Sequence, residues 1–209
     1  VAQVKKDEVR QAIVQSAFRN FAERGYTKTS LAQIAHDAGI STSNIYVYFG
    51  SKLEIVLAIF RPWLLVKIDE LEMELEAIDS PKRRLTRIFE VLWAEIPAAD
   101  GAFAVNLIQG LILSGPKDRY SRDLLRYLES RVTAMMAKCL PPERQHLLAD
   151  DAFAHLAFMA FDGFIANQHI HGRSRRIETI VSLVADLLLG AEEARREVPL
   201  SAVSGGASS

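Results

Sequence analysis

The chain has 209 residues, 49% of them hydrophobic and 24% charged, with a formal net charge of −1. This is the make-up of an ordinary soluble globular protein, long enough to bury a core without disulfides or metals. The single cysteine, Cys139, excludes an internal disulfide framework, and no run reaches the roughly 18–20 uncharged apolar residues of a membrane span.

The chain opens on VAQVKKDEVR, with no apolar signal stretch, and a cytoplasmic location is expected. With Val1 in place of Met, a few leading residues are expected to have been trimmed or left unnumbered. Charge is unevenly spread. Residues 1–52 carry seven Lys and Arg against four Asp and Glu, a balance of +3 that leaves −4 for the remainder. A cationic end on an acidic body orients a molecule toward a polyanion.

Apolar residues recur with a helical period almost throughout. Val9, Ile13, Val14, Ala17, Phe18 and Phe21 form one stripe over residues 7–24, which stops at Gly25. Leu31, Ile34, Ala35 and Ala38 repeat the pattern on a short helix ending at Gly39. A third short helix over residues 42–48 turns Ile45 and Phe49 inward. Thr29 or Ser30, then Ser41, then Ser51 supply N-caps. Helices this short are unstable alone, so packing must hold them. Gly39 provides the positive φ of a tight turn. Leu31, Ile34, Ile40, Ile45 and Phe49 are expected to share a small core with Phe18 and Phe21.

A long apolar helix follows from Lys52 to about Leu75, with a kink expected near residues 58–62 because Pro62 removes a helical hydrogen bond. Ser80-Pro81 caps the next helix and Pro97 closes it. Further helices are expected at about 101–113, 117–138, 152–170 (capped by Asp150 or Asp151) and 175–196. No strand-period segment of useful length appears. The fold class is all-α, with about nine helices. A DNA-binding domain over 1–52 precedes a ligand-binding and dimerisation domain over 53–196 and a small-residue tail, 197–209, expected to be disordered.

The two short helices read as a helix-turn-helix whose second helix enters the major groove. With Ile45 and Phe49 inward, Ser43 and Val47 lie opposite the core and Asn44 and Tyr46 flank them. Thr42 occupies the first turn beside its cap, Ser41. Hydroxyls and amides of these residues suit base edges, and Val47 suits a thymine methyl. Tyr46, Tyr48, Thr29, Ser30 and Lys52 have the chemistry of phosphate contacts.

Ile13, Ala17, Phe18, Phe21, Gly25-Tyr26, Thr29-Ser30-Leu31, Ile34-Ala35, Ala38-Gly39-Ile40-Ser41, Ile45-Tyr46, Tyr48-Phe49 and Ser51-Lys52 resemble the N-terminal signature of the TetR family of regulators. The resemblance covers roughly residues 10–57. It implies a homodimer with a ligand pocket in each C-terminal domain, acting as a repressor on a palindromic double-stranded operator. Ser43 stands where many members have glycine and Val47 where many have an aromatic residue, so no relative's operator can be borrowed.

In the body, the helices at 152–170 and 175–196 are apolar on more than one side, as an isologous four-helix dimer interface requires. Aromatic and polar residues are interspersed in the middle segments. Trp63, Trp93, Phe103, Asn106, Phe158, Phe161 and Asn167 are the candidate lining of a pocket for a mostly apolar or aromatic effector, with Gln109, Asp162 and His155 also nearby in sequence. His169 and His171, two apart, point to different faces, and Cys139 has no motif around it. No metal, cofactor, catalytic residue or membrane partner is expected. Two other readings remain: a constitutive DNA-binding regulator whose body serves only dimerisation, and a helical enzyme with a DNA-binding head.

Overall fold

The computed structural model describes residues 2–99, 103–115 and 121–190. The tail at 197–209, the end of the last expected helix and the start of the helix expected from 117 lie outside the described residues. Within them the chain forms α1 (Ala2–Lys28), α2 (Leu31–Asp37), α3 (Thr42–Ile45), α4 (Lys52–Glu76), α5 (Pro81–Glu90), α6 (Ile96–Ala99), α7 (Phe103–Leu113), α8 (Asp123–Ala137), α9 (Ala152–His171) and α10 (Ile177–Leu189). A π turn, Val91–Glu95, joins α5 to α6, and a 3-10 segment, Pro142–Asp151, leads into α9. Counting 81–99 as one helical body, the described residues hold nine, and no strand.

The head is built from the stripe the sequence shows. Ile13, Ala17 and Phe21 of α1, Ile34 and Ala35 of α2, and Ile45 and Phe49 are buried together. Ser30 makes a capping box with Gln33: its hydroxyl accepts from the Gln33 N–H, and the Gln33 side chain accepts from the Ser30 N–H. Ser41 and Ser51 cap α3 and α4. Gly25 (φ 74°) and Gly39 (φ 70°) take the left-handed backbone at the two turns. Phe18 departs from expectation. It is 48% exposed and stacks on Phe103 of α7, ring centroids 4.7 Å apart, so it faces the body rather than the head core.

Three sequence expectations about the body change. Pro97 does not close its helix but sits inside α6. The π turn before it shifts bonding to i→i−5, Ile96 N–H to the Val91 carbonyl, which widens the backbone where the proline ring would clash with the preceding turn. Neither Asp150 nor Asp151 caps α9 with its side chain. Both have positive φ (53° and 55°), and Asp151 occupies the cap position without a side-chain bond. Finally, α10 has its last helical residue at Leu189 and is interrupted at Gly190 (φ 85°), within the single helix expected over 175–196. Arg144, from the 3-10 segment, donates to the carbonyls of Leu187 and Leu188 and so satisfies the helix end. Lys52–Glu76 is one helix with Pro62 within it.

Head and body meet on α7. The side chain of Asn106, 4% exposed, accepts the Tyr26 N–H at 2.6 Å and donates to the Phe21 carbonyl at 3.5 Å. One turn on, Gly110 lets the helix approach. A Cβ there would lie 2.9 Å from Leu53 Cδ1 and 3.2 Å from the Tyr26 ring. Asn106→Ala strips a buried N–H of its acceptor and is expected to lower stability by about 1–3 kcal/mol. Urea unfolding of the variant beside the parent checks this.

Candidate nucleic-acid interface and ligand cavity

The turn from α2 through Gly39 delivers a very short third helix. It is four residues, not seven: after Ile45 the chain continues in turns, with Val47 N–H bonded to the Asn44 carbonyl and Tyr48 N–H to that of Ile45. Ile45 and Phe49 are nonetheless both buried, which leaves Ser41, Thr42, Ser43, Tyr46 and Val47 exposed on the outer side and Asn44 half-buried. Tyr46 is 59% and Val47 64% exposed. A large aromatic and a branched apolar side chain held out to water beside three hydroxyls form a surface suited to base edges and phosphates. Ser41 and Ser43 hydroxyls are 3.0 Å apart. Ser30 lies exposed at the rim, and Tyr48 is turned partly into the core.

Two residues expected at phosphates are committed elsewhere. Thr29 is 1% exposed, and its hydroxyl lies 2.8 Å from the Gly25 carbonyl and 3.0 Å from that of Asn20, closing the end of α1. The adjacent Ser30 takes the capping role, so Thr29 is a buried turn residue. Lys52 donates from Nζ to the carbonyls of Tyr26 (2.7 Å) and Thr29 (2.8 Å), with its ammonium 4.0 Å from the Tyr26 ring centre. Its partial burial lowers its pKa from the ordinary value. Lys52 therefore ties α4 to the turn after α1.

The candidate pocket residues divide between two spaces and the core. Phe158 and Phe161 line a cavity of about 160 Å³ with Phe60, Leu64, Leu128 and Asp162. Trp63 and Phe103 line a second, of about 440 Å³, with Phe18, Ile59 and again Phe60, at the head–body junction. The other three candidates belong to neither. Trp93, 6% exposed, donates from Nε1 to the Ala157 carbonyl at 2.9 Å and stacks between Phe89 and Phe164, so it fills core. Asn106 is spent on the Tyr26 and Phe21 backbone. Asn167 donates to the Gly172 carbonyl at 3.3 Å and closes the end of α9. Amide spacing in sequence cannot distinguish a ligand donor from one consumed by a helix end.

Phe60 was the residue missed. It lines both cavities, and its place three before Trp63 on an apolar helix was the available signal. Asp162, which burial pushes above the usual carboxylate range, lies one turn after Phe158. His155 pairs with the buried Glu129 at 2.6 Å, outside both spaces. Cys139 is buried and its thiol is pushed up to about 11, which keeps it protonated at neutral pH. No single helix among the described residues is long and apolar enough to cross a membrane.

Residues 13–59 match the family described as bacterial regulatory proteins, tetR family. The HTH-type transcriptional regulator BetI of Brucella anthropi is 25% identical over 181 residues, covering 86% of this chain and 91% of BetI. Among solved structures, a regulator from Saccharomonospora viridis in complex with choline aligns with a TM-score of 0.55 at 22% identity, over 87% of this chain and 96% of that one. FadR from Bacillus subtilis in complex with stearoyl-CoA aligns with a TM-score of 0.53 at 18% identity, over 86% and 97%. The capped pair of short helices and the all-helical body behind it agree with these likenesses: residues 13–59 form a tetR-family regulatory domain, and the chain over most of its length is similar to TetR-type transcriptional regulators.

Proposed function

We propose that the protein is a dimeric repressor that leaves a palindromic operator when a mostly apolar or aromatic small molecule enters its body. In this reading residues 1–52 are the DNA-binding unit and 53–196 the ligand-binding and dimerising one. The observation that carries it is the outward presentation of Tyr46 and Val47 in the turn that follows α3, held by the Ser41 cap and the buried Ile45 and Phe49. With Thr29 and Lys52 withdrawn, the base- and phosphate-facing set is Ser30, Ser41, Thr42, Ser43, Asn44, Tyr46, Val47 and the rim of Tyr48.

Dimerisation is supported by α9 and α10. Leu156, Met159 and Ile170 on the first, and Leu183 and Leu187 on the second, are 45–69% exposed, while the opposite faces of the same helices are buried. Helices apolar on two sides bury the second against a partner, and a twofold dimer is the arrangement that lets two α3 segments meet the two halves of a palindrome. The effector is supported by the two aromatic cavities and by the neighbours of this fold that hold choline and stearoyl-CoA. A constitutive regulator has no use for such internal space. The residues around Cys139 supply no activated nucleophile for the enzyme reading.

Footprinting on the DNA upstream of the protein's own gene is expected to reveal a protected palindrome. On that duplex, Tyr46→Ala and Val47→Ala should each weaken binding by about 1–3 kcal/mol without changing dimer mass. Unchanged affinity in both would remove α3 and the turn after it as the reading element. Separately, Leu183→Glu combined with Leu187→Glu should yield monomers by sedimentation with helicity retained. A variant still dimeric at micromolar concentration would place the interface elsewhere.

A further inference from the structure

The smaller cavity has one feature that an apolar effector leaves unused. It lies among α4, α7, α8 and α9, and its lining is leucine, methionine and phenylalanine apart from a single ionisable group, Asp162. Asp162 sits on α9 one turn from Phe158, so the two side chains share a face, with Phe161 beside them. Among the described residues its carboxylate has neither an ion pair nor a hydrogen bond, whereas three other acids on helices of the body are paired. Glu129 has His155, Glu72 has Arg131 and Asp186 has Lys82. Burial disfavours its charged form, a cost that a cation entering the cavity would offset.

The space also limits size. At about 160 Å³ it is close to a cavity that accepts one benzene ring, about 150 Å³. Phe60, Phe158 and Phe161 offer aromatic surface both to an apolar body and, through their ring faces, to a positive charge. A separate cleft of about 400 Å³, lined by Arg10, Arg61, Glu54 and Asp123 among others, carries both signs and selects no such class.

We propose that the effector is a small hydrophobic monocation, an ammonium group on an aromatic or comparably sized apolar body, whose charge is held by Asp162 while Phe60, Phe158 and Phe161 enclose the rest. This rests on the ligand-responsive reading above and names the chemistry of that ligand.

Calorimetric titration of the full chain at pH 7 with 2-phenylethylammonium, 2-phenylethanol and phenylacetate tests it, since the three share a ring and differ in charge. The parent should bind the cation about tenfold or more tightly than the alcohol, and phenylacetate least. Asp162→Asn keeps the volume and removes the charge. It should abolish the preference for the cation, retain binding of the alcohol, and unfold at a temperature no lower than the parent. A parent that favours the alcohol or the anion, or an Asn variant that keeps the cation preference, overturns the assignment to Asp162 and leaves the apolar pocket standing. Failure of all three compounds to bind the parent overturns the cation assignment and this cavity's role as the effector site together.

Discussion

Tyr26 is held from three sides, and the placement of the recognition helix depends on that grip. Its N–H goes to Asn106 of α7, its carbonyl accepts the Lys52 ammonium of α4, and its ring lies under that ammonium and against Gly110. Its ring also stacks on Phe21 of the head core, ring centroids 5.8 Å apart. Gly25 makes this possible, because only its positive φ turns the chain sharply enough at the end of α1 to present the following N–H to the body. The Asn106 and Lys52 bonds are partly or wholly withdrawn from water, where an amide or ammonium left unpaired costs more than the bond contributes. The junction is therefore two-sided: it holds only while α4 and α7 keep their spacing.

That spacing is also what the cavities share. Phe60 separates the inner cavity from the junctional one, two residues before Pro62. Phe18 and Phe103 stack across the outer space, head against body. In the ligand-responsive reading proposed above, occupancy of the inner cavity acts on the equilibrium between head positions through α4 and α7, which both line that cavity and grip Tyr26. A ligand shifts such an equilibrium only by its differential affinity for the two head positions. In the proposed dimer, a tight buried junction rather than a flexible linker is what makes a small displacement matter for the distance between two heads.

Much of this was legible in the residues alone. Helical periodicity, the serine caps and Gly39 define the head, because these signals are local and each has one cheap structural solution. The same holds for the apolar stripes of α9 and α10. Phe18 misled because the stripe of α1 is wider than the head core, and periodicity cannot say which neighbour covers its edge. Thr29, Lys52, Asn106 and Asn167 misled for one reason: each is polar, and a polar side chain in sequence looks the same whether it meets a ligand or a backbone carbonyl far along the chain. Asn106 bonds a residue 80 positions away, a relation that no local pattern encodes. Trp93 is similar, since its partner carbonyl lies 64 positions on.

The central claim is that the Tyr26 junction sets where the head stands. A nitroxide at Ser43→Cys reports it directly, because Cys139 is buried and does not compete for the label. Pulsed dipolar measurement between the two protomers should give one narrow distance in the parent, on the order of one DNA turn, about 34–36 Å. With Asn106→Ala added, the distribution should broaden. An identical narrow distance in both would show that the head is positioned by something other than Tyr26.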